Sequence, residues 1–188
     1  MSSDPDVVSQ FLSRAGWGDA QKTSLAGDAS ARAYDRLIGP EPNRRAVLMR
    51  AAAGNPKDID HFIRVSKTLS DMGFSTPETL SVSAIDGLLL LEDFGDDLIA
   101  KLCQTDLSLE TKFYEMSVDV LVELAKKPVP DWLPPYDMAV YLREARLLTE
   151  WYLPAVTGHE TSPELCTQYD ALIEAACNTL QDSQQIVI

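Results

Sequence analysis

The sequence predicts an α+β protein whose first half is a small, mostly antiparallel sheet with one long helix, and whose second half is mostly helical. Three observations support this prediction. Strand-like runs separated by turn formers fill much of the region before residue 92, a long amphipathic segment lies among them, and helical periodicity dominates afterwards. We therefore expect two lobes, residues 1–92 and 93–188.

The first half is predicted to begin with a helix from Pro5 to Gly16 that covers the sheet. Turn-forming residues separate the next three strand-like runs, so an antiparallel meander is the economical interpretation. A helix that ends at Gly73 follows the meander, and two further strands come after it. The predicted strands span about residues 22–25, 30–37, 45–50, 79–83 and 87–92.

The apolar run over residues 87–92 is the feature around which the rest is organised, and it continues into Asp93, Phe94, Gly95 and Asp96. Such a run predicts a fully buried strand, here followed by a connector between two differently built halves. A connector of this kind offers main-chain N–H and C=O groups to a flat heterocycle in an interdomain crevice. The alternative is a core strand followed by an ordinary turn.

The second half repeats apolar residues at helical spacing over residues 109–126. A proline-rich connector spans residues 127–135, and further helices begin at Asp137 and at Ser162. The last four residues, 185–188, have the pattern of a strand. Because native termini are usually polar, we expect the natural product to continue beyond Ile188.

Composition argues against several classes of partner. The net charge of −13 and the pI near 4.4 oppose binding to nucleic acid or to anionic membranes, since phosphates would be repelled. The three cysteines have no CxxC spacing, which gives no support to a disulfide framework or a zinc site. With no leader or spanning segment recognised, we expect a cytoplasmic protein and leave its oligomeric state open.

Two segments are candidates for phosphate contact. The loop within residues 25–34 carries small residues through which backbone N–H groups could approach a phosphate, although a plain hairpin turn is the alternative. Arg50 ends a predicted strand, where a cation could reach into a cleft. Protein kinases pair a lysine in such a position with a helix glutamate, and here the available acids would be Asp58 or Asp60. The alternative for Arg50 is a solvated strand end.

No catalytic or metal-binding residue is assigned. Asp93, Phe94 and Gly95 spell the metal-binding tripeptide of protein kinases, but no catalytic loop precedes them, so we interpret Phe94 as packing and Gly95 as turning the chain. His61 and His159 lack the spacing of metal ligands. Motifs of metallopeptidases, α/β-hydrolases and β-lactamases do not occur.

Taken together, four segments resemble the aminoglycoside phosphotransferase family, and more narrowly its branch of bacterial cell-wall amino-sugar kinases, which phosphorylate N-acetylmuramate and N-acetylglucosamine. The segments are residues 25–34, 46–49, 73–77 and 87–96. Their order and spacing are more specific than any single one of them. The resemblance covers roughly residues 7–96 well and the helical part only in general pattern.

The resemblance implies a protein-kinase-like fold that binds ATP and Mg²⁺ between its lobes and transfers the terminal phosphoryl group to a hydroxyl of a small molecule. The helical half would then be part of a C-terminal lobe. By this likeness, the loop that covers the phosphates contains Gly27, Asp28 and Ser30. Arg50 lies near the position of the phosphate-binding lysine. The backbone around Glu92, Asp93 and Phe94 would contact adenine.

The chain also departs from the family pattern. Arg50 replaces the lysine, the helix glutamate is missing, and the catalytic and metal-binding aspartates of the family follow the strand with which this chain ends. Ligands for Mg²⁺ are therefore expected beyond residue 188. The alternatives are a noncatalytic kinase-like binding module and an acidic α+β protein without a nucleotide site, and ATP binding distinguishes the latter from the other two.

Overall fold

The computed structural model describes residues 5–25, 32–51 and 56–178. Within these ranges the protein has the predicted α+β composition, with strands confined to the first half and helices dominating the second. The strands are β1 (Gln21–Ser24), β2 (Ala33–Ile38), β3 (Arg45–Arg50), β4 (Thr79–Ser83) and β5 (Leu88–Glu92). The helices are α1 (Pro5–Arg14), α2 (Pro56–Asp71), α3 (Ile99–Thr105), α4 (Glu110–Ala125), α5 (Met138–Ala145), α6 (Leu153–Thr157) and α7 (Pro163–Cys177).

The five strands form one antiparallel sheet in the order β1-β2-β3-β5-β4. The meander of the first three strands follows the prediction. β5 does not pair only with its sequence neighbour β4, but inserts between β4 and β3. The segment that follows β5 is therefore brought next to residues of β2 and β3, far from it in sequence.

Both faces of the sheet are covered by helices, which explains why β5 is apolar without alternation. Leu88 and Leu90 cluster with Phe11 and Leu12 of α1. Leu89 and Leu91 cluster instead with Ile59 of α2. We call these two sides the α1 face and the α2 face. The fully buried strand and the N-terminal cover helix are both confirmed.

The turn between β2 and β3 is fastened to the end of α1 by Arg44. Its guanidinium lies 4.4 Å from the ring centroid of Trp17, and its Nη2 donates a hydrogen bond of 2.7 Å to the carbonyl of Gly16. A pocket of about 210 Å³ opens beside this contact, with Asp19 and Glu41 in its wall. Because Arg44 already occupies the aromatic surface, we assign no ligand to this pocket.

Two compact units divide the chain, Met1–Tyr114 and Glu115–Ile188. The first contains the sheet together with α1, α2 and α3. In the second, α5 packs against α7, and the Arg146 guanidinium forms a two-pronged ion pair with Asp170. The functional division that we predict at residue 92 stays a prediction.

The second unit leaves many large apolar side chains exposed. Val118, Leu121, Trp151 and Leu172 are each more than half exposed. Thr149 is a buried residue of this unit, and its carbonyl accepts a hydrogen bond from the Thr161 hydroxyl.

None of the helices in the described ranges has the length and apolar character needed to span a bilayer.

Candidate functional site

The connector that follows β5 is held by Arg36 of β2. Arg36 Nη2 donates to Asp93 Oδ1 at 2.9 Å and to the carbonyl of Gly95 at 3.1 Å. Its Nη1 donates to Asp96 Oδ2 at 2.5 Å, and its Nε lies 2.7 Å from Asp93 Oδ2 as an ion pair without hydrogen-bond geometry. We call Arg36, Asp93, Gly95 and Asp96 the Arg36 clamp.

The Arg36 clamp is shielded from water at its centre. The side chain of Arg36 is 14% exposed and that of Asp93 is 2% exposed, whereas Asp96 is 59% exposed. The hydrogen bonds that Arg36 donates to Asp93 and Asp96 raise the pKa of Arg36, and the same guanidinium lowers the pKa of Asp96. Arg36 and Asp96 therefore carry their charges at neutral pH, and ionic contacts fix the connector.

Gly95 turns the chain, as predicted. Its φ of +84° lies in the left-handed region that favours glycine, and its N–H donates to Asp93 Oδ1 at 2.9 Å. The prediction that Phe94 packs is wrong, because Phe94 is 58% exposed. Since Asp93 is drawn inward to Arg36, the next side chain along the connector is turned toward solvent.

The backbone of the connector is partly available to a ligand. The N–H of Glu92 donates to the carbonyl of Glu78 at 2.9 Å, and the carboxylate of Glu92 accepts from the N–H of Glu78 at 3.1 Å. Among the described residues, no hydrogen bond engages the main-chain N–H or C=O of Phe94. A planar ligand with its own donor and acceptor could therefore pair with this stretch.

Arg50 lies on the α1 face, where its Nη2 is 3.0 Å from Asp35 Oδ2. The Asp35 side chain is 5% exposed, so this pair keeps a buried carboxylate neutralised. The sequence-based expectation that Asp58 or Asp60 would be the partner of Arg50 is wrong within the described ranges. Alternation along β3 turns residue 50 away from the helix, and the neighbouring Met49 faces α2 instead.

Asp58 is paired with Arg32, which precedes β2. Arg32 Nη2 and Nε donate to Asp58 Oδ1 and Oδ2 at 2.5 and 3.2 Å, and the guanidinium lies 5.5 Å from the ring centroid of Phe62. The hydrogen bond from Arg32 lowers the pKa of Asp58, and the same contact raises the pKa of Arg32. This pair joins the sheet to the first turns of α2.

The other residues predicted to contact phosphate, Gly27, Asp28 and Ser30, lie outside the described residues. Sequence reasoning assigned no role to Arg32, Asp35 or Arg36, although Arg32 lies in the 25–34 segment that carried part of the resemblance. A signal was present: three charged residues occur within a strand-like stretch of five, beside the strand β3, whose four middle residues are apolar. In the described ranges, no group of three His, Cys, Asp or Glu side chains could hold a metal ion.

The Arg32 pair predicts a pH dependence of stability. Because the pKa of Asp58 is lowered in the folded state, its ionised carboxylate stabilises the fold above the unfolded pKa of about 4. This contribution is lost as the pH falls through the folded pKa. Urea midpoints of the wild type and of Asp58→Asn should therefore draw together as the pH falls below about 5. A difference that stays constant as the pH falls would contradict this assignment, and Asp71→Asn in α2 is the matched control.

The fold and site define an α+β chain in which ionic contacts hold the connector after the buried strand β5 against the sheet. The sequence of this chain is similar to those of proteins named N-acetylmuramate/N-acetylglucosamine kinase. The relative from Caulobacter vibrioides is 33% identical over 188 aligned positions, covering 85% of this chain and 49% of the relative. The relative from Pseudomonas aeruginosa is 27% identical, covering 92% and 51%. The relative from Neisseria meningitidis is 28% identical, covering 76% and 42%.

The chain thus spans about half the length of the curated relatives that it matches. No family model matches the sequence. The shared name of the relatives connects the chain with kinases of amino sugars, as the resemblance of its motifs predicted. The wider aminoglycoside phosphotransferase family stays a prediction.

Proposed function

We propose that this chain forms the nucleotide-binding part of a kinase of the aminoglycoside phosphotransferase type, with a protein-kinase-like fold. The kinase would transfer the terminal phosphoryl group of ATP to a hydroxyl of an amino sugar. The observation that carries the proposal is the 33% identity, over 85% of the chain, to a relative with an amino-sugar kinase name. The connector after β5, which the Arg36 clamp holds in place, supports the proposal independently of that name.

The connector is suited to adenine. Adenine carries a donor and an acceptor on one edge, and extended backbone offers a C=O and an N–H with matching spacing. We assign this contact to the backbone around Glu92, Asp93 and Phe94. The Arg36 clamp fixes that backbone before a ligand arrives, which lowers the entropy lost on binding.

The phosphates would be covered by the loop that carries Gly27, Asp28 and Ser30, where backbone N–H groups can point at anionic oxygens. Magnesium would neutralise the phosphate charge and orient the transferred group. The described residues contain no cluster that fits the ion. We therefore propose that the Mg²⁺ ligands and the catalytic base belong to the portion of the relatives that this chain does not span.

Isothermal titration calorimetry of the chain with ATP tests the proposal. We expect saturable binding of ATP and no formation of sugar phosphate from N-acetylglucosamine or N-acetylmuramate, because we place the catalytic base and the metal ligands outside this chain. GTP serves as the control for the adenine contact. Absence of ATP binding would refute the proposal. If the chain binds ATP but no longer form of the protein phosphorylates a sugar, a noncatalytic binding module would be favoured.

Arg50 stays a candidate for phosphate contact. If it has that role, Arg50→Ala lowers ATP affinity while the chain keeps its far-ultraviolet circular dichroism spectrum. The ion pair of Arg50 with Asp35 at 3.0 Å gives a second reason for the cation to be present. Unchanged ATP affinity in calorimetry would remove Arg50 from the site.

A further inference from the structure

We propose that Arg32 is the cation that binds the phosphates of the nucleotide, and that Asp58 of α2 holds its guanidinium in position. This inference rests on the proposed nucleotide site and names a residue of it. It follows from which face of the sheet each cation occupies.

Strand register assigns the two faces. Tyr34 of β2 lies opposite Met49 of β3, and both belong to the cluster that packs on α2. Ala33 lies opposite Arg50, which therefore projects from the other side, where it meets Asp35. At this end of β3, the residue on the α2 face is the buried, neutral Met49. A cation on the α2 face must come from elsewhere.

Arg32 supplies it. Residue 32 lies one strand period before Tyr34, so alternation puts it on the α2 face. Its contacts agree with that placement, since it pairs with Asp58 in the first turn of α2 and lies over Phe62 one turn later. In sequence it lies two residues after Ser30, to which we assign phosphate contact.

The pair has the form of a known device. Protein kinases require an ion pair between a sheet cation that contacts the phosphates and an acid on the packed helix. Here the cation would be Arg32, which precedes β2, in place of a residue on β3. The acid on the helix would be Asp58. The pair with Asp58 engages the Nε and one terminal nitrogen of the guanidinium. The planar fork also suits phosphate oxygens.

Partial burial fits this role as well. The side chains of Arg32 and Asp58 are each 27% exposed, so the pair is partly buried and partly accessible to solvent. A structural ion pair could be equally exposed, and for that reason the test compares ligands with and without phosphates.

The experiment is calorimetry of the full chain with ATP and with adenosine, each titrated into the wild type, Arg32→Ala, Arg32→Lys and Asp58→Asn. We expect Arg32→Ala to lose about tenfold or more in ATP affinity and to keep its adenosine affinity. Arg32→Lys should retain part of the ATP affinity, and Asp58→Asn should lose some of it. Lys67→Ala is the matched control, because Lys67 pairs with Asp71 on the exposed surface of α2.

Each of the following results would overturn the inference. Equal losses for ATP and adenosine would mean that Arg32 supports the fold and does not contact phosphate. Unchanged ATP affinity in Arg32→Ala, or a phosphate-selective loss in Arg50→Ala alone, would remove Arg32 while leaving the proposed function intact. A wild type that binds neither ligand would refute both. If Arg32→Ala fails to fold, ATP affinity in Arg32→Lys equal to that of the wild type, together with wild-type affinity in Asp58→Asn, would refute the inference.

Discussion

Replacing Arg36 with alanine is expected to destabilise the first unit by about 2–3 kcal/mol and to weaken ATP binding together with adenosine binding. The substitution leaves the Asp93 carboxylate, 2% exposed, without its cation, and it also removes the donors to Gly95 and Asp96. Uncompensated burial of a charge is costly, and the connector would lose the contacts that set its backbone. The loss for adenosine separates this positioning role from phosphate binding by Arg32.

Urea denaturation followed by circular dichroism measures the stability change. Arg14→Ala is the matched control, since Arg14 lies exposed on α1, and its effect should be within about 0.5 kcal/mol. Asp93→Asn refines the test, because asparagine can still accept the hydrogen bond from the Gly95 N–H but cannot pair with the guanidinium. An Arg36→Ala midpoint equal to that of Arg14→Ala would show that the Arg36 clamp does not hold the connector.

The elements of the first unit could be predicted from the sequence because their burial is local in origin. A run such as 88–91, with leucine at every position, fits a strand covered on both sides, and α1 and α2 supply that cover. Turn formers between the runs limited where the strands could begin and end. These signals depend on neighbouring residues, which a sequence displays directly.

The ionic contacts of the site could not be predicted in the same way. Arg36 contacts Asp93, 57 positions away in sequence, because β5 inserts beside β3. The periodicity of a sequence does not show the order of strands in a sheet. The partner of Arg50 depends on register, which decides the face to which a residue projects. An error of one residue in register exchanges the two faces. Asp58 or Asp60 was expected beside Arg50 by analogy with the kinase lysine and helix glutamate, whereas Asp58 lies beside Arg32 and Arg50 beside Asp35.

Replacing Leu90 with alanine is expected to cost about 3 kcal/mol of unfolding free energy in the first unit. Leu90 is 1% exposed and packs in the cluster beneath α1, so truncation removes buried surface and leaves a cavity beside β5. Urea denaturation measures the effect. Ile85→Ala is the control, because Ile85 is 81% exposed between β4 and β5 and should change stability by less than about 0.5 kcal/mol.

Truncations on the two faces of β5 also test on which face of the sheet the nucleotide binds. Leu90 packs toward α1, whereas its neighbour Leu89 packs toward α2, the helix that carries Asp58. Both truncations should cost similar stability, but only Leu89→Ala should disturb the Arg32 pair and lower ATP affinity at temperatures where the protein remains folded. Equal loss of ATP affinity in both variants would mean that the α2 face is not the nucleotide side of the sheet. Loss in Leu90→Ala alone would move the phosphate contact to the α1 face, where Arg50 lies.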